Sequence, residues 1–172
     1  EAGIQYVGAG ENAEQANRPA YITIKGITLA FLAYNDSDVV PPSYEATNDN
    51  PGTAFMQIEH MTAAVAEAKT KADVVIVSMH SGYEYVARPN ESQTAFAHAA
   101  IDAGAELVLG HHPHVVQTME QYNGKYIFYS LGNFIFDQME SLDTRDGLAL
   151  KIIFTKAGVK EIFFHQKIIE DN

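Results

Sequence analysis

The sequence predicts an α/β fold with a largely parallel sheet, and three observations carry that prediction. Segments rich in β-formers alternate with segments of helical period along most of the 172 residues. Two of the β-rich segments, "DVVIVSMH" at 73–80 and "AELVLG" at 105–110, are unbroken apolar runs of the kind covered on both faces. No linker, internal repeat or low-complexity tract divides the chain, so one domain over 1–172 is expected; 47% hydrophobic content with 10% aromatics is enough to bury its core.

From the amino end, Gly8 and Gly10 in "VGAGEN" fit neither the dinucleotide nor the P-loop glycine spacing, and the stretch reads as a turn. Residues 21–25 and 27–34 are β-branched and aromatic with Gly26 between them, which predicts two strands joined by a tight turn. Residues 36–52 collect Asp, Asn, Ser, Pro and Thr without an apolar period and predict a long surface loop. Phe55, Ile58, Met61, Ala64, Val65 and Ala68 recur at helical spacing, which predicts a helix over 53–70. The run at 73–79 is a covered strand, followed by a loop and a second helix over 91–103 that Gly104 closes. Residues 106–109 form the next covered strand, and this alternation implies right-handed parallel crossovers. Asn123-Gly124 between two β-rich runs predicts a hairpin, and 148–155 with 159–167 predict a closing antiparallel pair.

Charge and cysteine exclude several classes. Against 22 Asp and Glu stand 11 Lys and Arg, a net charge of -11, and such a surface repels phosphate backbones, so no nucleic-acid partner is expected. No apolar run reaches the roughly 18 residues of a membrane span, and the opening residues lack a signal peptide's basic and apolar start, so a soluble segment is expected. With no cysteine, thiolate metal sites, thiol catalysis and disulfides are ruled out.

Three of the seven histidines crowd into "GHHPHVVQ" at 110–117. In an open α/β sheet, ligands bind beyond the carboxyl ends of the parallel strands, where His80 follows one covered strand and His111, His112 and His114 follow the next. Pro113 favours extended backbone at His112, which would point His112 and His114 one way and His111 the other. His80 would then supply a third imidazole to a divalent cation, leaving room for a water whose pKa such an ion lowers to about 7. The competing reading is a loop of solvated or core-satisfied histidines. Glu84 reads as a ligand, a general acid or base, a partner that fixes an imidazole tautomer, or a plain exposed carboxylate. Asn133 and Asp137 could reach the same crevice, although Asn after Gly is first a turn residue. His60, His98 and His165 read as structural or solvated.

"HSGYEY" at 80–85, "GHHPHVVQ" at 110–117 and "SLGNFIFDQ" at 130–138, in that order, resemble the poly-γ-glutamate capsule biosynthesis family known as CapA, within the metallophosphoesterase-like superfamily. The opening "GIQYVGAGENAEQANRP" is similar to the segment that follows that family's upstream metal motifs. The resemblance implies a calcineurin-like sandwich of two β-sheets flanked by helices, with a dinuclear metal centre at the strand ends. It implies His80, His112 and His114 as ligands to Mn, Zn or Fe, with His111 and Glu84 beside them as candidate catalytic groups.

The family's earlier motifs, an Asp, an Asn-Leu-Glu and an Asn-Asn-His, would precede Glu1. The chain is therefore expected to be the C-terminal part of such a protein, with metal occupancy weak or absent in this fragment. Apolar surface and a strand edge left open by the missing part are expected to favour a homodimer. The function implied is a metal-dependent hydrolase component of capsule synthesis at the bacterial cell surface, acting on an anionic polymer or a phosphoester. The alternative is a non-catalytic assembly or polymer-binding subunit working with other capsule synthesis proteins.

Overall fold

Uninterrupted β-branched and aromatic runs build one six-stranded sheet, and the two longest amphipathic segments cover one of its faces. The computed structural model describes residues 3–170. A two-residue strand, β1 (Ala9–Gly10), and the short helix α1 (Ala13–Ala16) precede the hairpin of β2 (Ala20–Ile24) and β3 (Ile27–Asn35). The ribbon partner of β1 is β4 (Gly52–Thr53). Then come α2 (Ile58–Lys69), β5 (Val74–His80), α3 (Glu91–Asp102), β6 (Leu107–His111), the hairpin β7 (Met119–Tyr122) and β8 (Lys125–Phe128), α4 (Leu142–Arg145), and the long pair β9 (Asp146–Thr155) and β10 (Gly158–Ile168).

The sheet order is β2-β3-β5-β6-β8-β7. Its four inner strands are parallel, as the alternation predicts, and the antiparallel β2 and β7 close the two edges. Both hairpins turn on pairs of left-handed residues, Lys25 and Gly26 (φ 52° and 77°) and Asn123 and Gly124 (φ 48° and 75°), the backbone that matches strand twist.

Period-two alternation sorts the strand residues onto two faces. Val75, Val77, Met79 and Val108 meet Met61 and Val65 of α2 and Phe96, Ala97 and Ala100 of α3 in one core. Val74, Ile76, Leu107 and Phe128 face the other way, under Leu150, Ile152 and Phe154 of β9 and Ile162 of β10. The molecule is thus a sheet with helices on one face and a β-hairpin on the other. Asn90 caps α3 reciprocally with Gln93, each side chain accepting from the other's backbone N–H, a device of about 1 kcal/mol.

The helix expected over 53–70 begins only at Ile58. Residues 52–56 are extended instead: Thr53 pairs with Ala9, and the Asn35 N–H donates to the Ala54 carbonyl while the Met56 N–H donates to that of Asn35. Phe55 mimicked the helical period because it is buried for a different reason, at the foot of β3. The surface loop over 36–52 holds as irregular chain apart from a 3-10 turn at Pro42–Tyr44 and the first residue of β4, Gly52, but its own first residue, Asp36, is buried.

Candidate metal centre

His80 and His111 are the last residues of β5 and β6 and are partners in the parallel register, so they share one face and one rim of the sheet. That face carries Val74, Ile76 and Leu107, which places both rings toward the β9–β10 side. Beyond His111 the chain turns sharply. His112 and His114 take φ values of 103° and 59°, not the extended backbone that Pro113 predicts, so the alternation that was to separate them from His111 does not hold. A tight turn brings them together instead, with the Tyr85 N–H donating to the Pro113 carbonyl at 2.8 Å. Tyr85 itself has φ 63°. Five non-glycine residues among those described have positive φ; Lys25 and Asn123 serve hairpin turns, and the other three are Tyr85, His112 and His114. Such conformations cost of order 1–3 kcal/mol each and persist where the surroundings over-determine them, as at functional sites.

The rings converge. The centroid of His112 lies 4.9 Å from that of His80 and 6.0 Å from that of His114. Glu84, on the loop after β5, brings its Oε1 to 3.9 Å from His114 Nε2. Glu84, His112 and His114 each offer one ligand atom, all within 4.8 Å of one another. Ligands about 2.0–2.2 Å from one ion lie at most about 4.4 Å apart, so small side-chain rotations close this trio on a cation. His80 flanks the trio through His112, and His111 sits one strand over from His80.

The tautomer of His114 is fixed by its neighbour. Buried Asn133 uses its Nδ2 to donate to the Thr144 carbonyl at 2.9 Å and to Gln138 Oε1 at 3.1 Å, which leaves its Oδ1 as acceptor for His114 Nδ1–H at 2.9 Å. Nε2 is therefore the ring atom turned toward Glu84, and a hydrogen bond at the other ring nitrogen is the kind of support that orients a metal-ligating histidine. Burial, reinforced by the charges of the neighbouring imidazoles, pushes His80 down to about 4. Burial also holds His112 below the usual histidine value, against the pull of Glu84. Both rings are thus neutral at physiological pH and offer lone pairs without first losing a proton.

Tyr85 stacks against His114 at 6.1 Å and Phe136 lies 5.1 Å from it, giving the imidazoles an aromatic flank. Asp137 stays exposed on its loop, while His60 and His165 are exposed elsewhere. His98 pairs with Glu120 at 3.0 Å, a structural contact.

Asp36, which its sequence context assigns only to a surface loop, belongs to the same rim. It lies at the carboxyl end of β3, 6% exposed, and accepts from the Ser81 hydroxyl at 2.9 Å and the Asp38 N–H at 3.1 Å. The rim rule that singled out His80 would have found it, since it too directly follows a parallel strand.

A family of bacterial capsule synthesis proteins, PGA_cap, matches residues 1–138. The capsule biosynthesis protein CapA of Bacillus anthracis is 41% identical over 142 residues, covering 80% of this chain and 34% of the relative. The PGA biosynthesis protein CapA of Bacillus subtilis strain 168 is 40% identical over 156 residues, 90% of this chain and 40% of the relative. The chain therefore spans less than half the length of these relatives. Among solved structures, a putative 5'-nucleotidase from Staphylococcus aureus superposes with a TM-score of 0.58 at 14% identity, over 96% of this chain and 32% of that protein. That likeness is one of fold, the metallophosphoesterase and nucleotidase architecture that the motifs imply. The chain belongs to the PGA_cap family of bacterial capsule synthesis proteins.

Proposed function

We propose that this chain supplies the imidazole-rich part of a divalent-metal hydrolase centre in a capsule or poly-γ-glutamate synthesis protein of the cell envelope. The observation that carries this reading is the trio of Glu84, His112 and His114, with His114 Nε2 turned toward Glu84 by Asn133. Two imidazoles and one carboxylate form a donor set suited to Zn, Mn or Fe. Bound there, a divalent cation supplies a Lewis acid and lowers the pKa of water toward about 7.

The chain's own residues prepare that chemistry. His112 presents a neutral nitrogen, His114 turns its Nε2 toward Glu84, Glu84 contributes the charge that compensates a cation, and His80 lies close enough to join as a further ligand. His111, beside His80, is positioned to hand a proton to or from a group at the rim. Tyr85 and Phe136 exclude water from one side of His114. Similarity to the Bacillus relatives supports capsule synthesis, and likeness of fold to a protein named as a nucleotidase supports phosphoester hydrolysis. With a net charge of -11, the chain repels an anionic substrate of either kind unless a cation at the site offsets the repulsion.

The test is titration of Zn2+ or Mn2+ into the chain by calorimetry, followed by an aryl-phosphate assay. Weak but saturable uptake that a His112→Ala, His114→Ala variant loses is the expected result. Uptake no tighter than in that variant overturns the metal reading; uptake without metal-dependent turnover moves the protein to a binding or assembly role.

A further inference from the structure

Gln93 and Gln117 face each other at the base of the two loops that carry the trio. Gln93 is fully buried (0% exposed) and Gln117 nearly so (5%), an uncommon setting for two amides. Every polar atom of the pair is used. Gln93 Oε1 accepts from the Asn90 N–H at 3.0 Å, and its Nε2 donates to Gln117 Oε1 at 2.9 Å and toward the Tyr129 carbonyl at 3.4 Å. Gln117 Nε2 donates to the Val86 carbonyl at 2.8 Å and the Arg88 carbonyl at 3.1 Å. Gly82 passes so close to Gln93 that a Cβ there would lie 2.6 Å from Oε1. The loop bearing Glu84 is therefore gripped on both sides: at Gly82 by Gln93, and at Val86 and Arg88 by Gln117, which ends the turn bearing His112 and His114.

We propose that Gln117, braced by Gln93, is a positioning residue that sets the Glu84 loop over the His112–His114 turn, so that the three ligands assemble as one unit. Its metal-binding arm rests on the function proposed above; its loop-ordering arm does not. A satisfied buried network of this kind specifies one arrangement of its surroundings, and a half-satisfied one does not. The Gln93 amide is already committed to α3 and Tyr129, so Gln117 is the member of the pair that holds the carbonyls of the Glu84 loop, beside the bond from the Tyr85 N–H to the Pro113 carbonyl.

Gln117→Glu keeps an acceptor for Gln93 but turns a carboxylate toward two carbonyls. Hydrogen exchange of the metal-free protein is expected to rise in residues 82–90 and to stay unchanged in β5 and β6; Gln117→Met, close in volume and unable to donate, serves if the charged variant does not fold. Zn2+ affinity is expected to fall about 10–100-fold, the range seen when partners of metal ligands are removed. In a Glu84→Gln background the same substitution is expected to change affinity by no more than about 3-fold, because a positioning residue acts through the ligand it positions. Unchanged exchange in 82–90, or a full loss of affinity that persists without Glu84, overturns the proposal. If the parent chain binds no Zn2+, the hydrolase reading falls on its own, and the exchange measurement alone decides the role of Gln117.

Discussion

The two faces of the central sheet are built from the same strands yet are secured very differently. On the helix face, Met61, Val65, Val77, Met79, Ala97 and Ala100 all reach 0% exposure, and two twelve-residue helices seal the layer. On the hairpin face the sheet residues are also buried, but their cover is thin. Phe163, Phe164 and Ile168 of β10 remain 43%, 50% and 61% exposed. The hairpin is tied back mainly at its ends, where the Leu148 N–H donates to the Leu131 carbonyl and the Val159 N–H to Glu106 Oε1. His80 and His111 look toward this less secure side. Stability is therefore concentrated on one face, while the two strand-end imidazoles look toward the other.

The largest test of that asymmetry is a pair of truncations. Phe96→Ala, in the helix-face core, is expected to cost about 3–5 kcal/mol, the range for emptying a buried aromatic site. Phe164→Ala, half-exposed on β10, is expected to cost about 1 kcal/mol, in proportion to the area it buries. Urea unfolding of both variants compares them directly, and equal losses break the distinction.

Native-state hydrogen exchange gives a second, finer reading. Amides of β5 and α3 are expected to exchange only through global unfolding, whereas amides of β10 exchange through local opening at lower free energy. Coincident exchange would mean that the hairpin and the helices form one cooperative unit.

The smallest effect lies on the helix side, where His98 of α3 meets Glu120 of β7. The Tyr129 hydroxyl, at 2.6 Å, and then His98 hold the Glu120 carboxyl below its ordinary value of 4.5. A carboxyl with a lower pKa in the folded state adds stability that is present above the unfolded pKa and is lost as pH falls through the folded one. The melting temperature of the parent is expected to drop more steeply below about pH 4.5 than that of Glu120→Gln. Identical acid profiles would remove this tie from the account of the helix face.

Much of this architecture was legible in the sequence because it follows from local pattern. The covered strands, the crossovers, the Asn-Gly hairpin and the closing pair are fixed by periodicity and turn chemistry, which need no knowledge of distant contacts. The start of α2 was misread because burial at Phe55 imitates a helical period. The histidines were found by their place at strand ends, but their geometry was not. The left-handed backbone at His112 and His114 accompanies the bond from the Tyr85 N–H to the Pro113 carbonyl, a partner that no local rule supplies. The contact of Gln93 with Gln117 is tertiary and has no local signal.

One contact at the rim bears on how a working site comes into being. The direction of the His114 ring is set by Asn133, and Asn133 is itself held by the Thr144 carbonyl, at the far end of the following loop. During synthesis the imidazole is made well before its brace, and it stays free to spin until the segment leading into β9 has docked. A cation in the surroundings thus meets an aimed nitrogen only after the segment through Thr144 has docked, later than the histidines themselves are made.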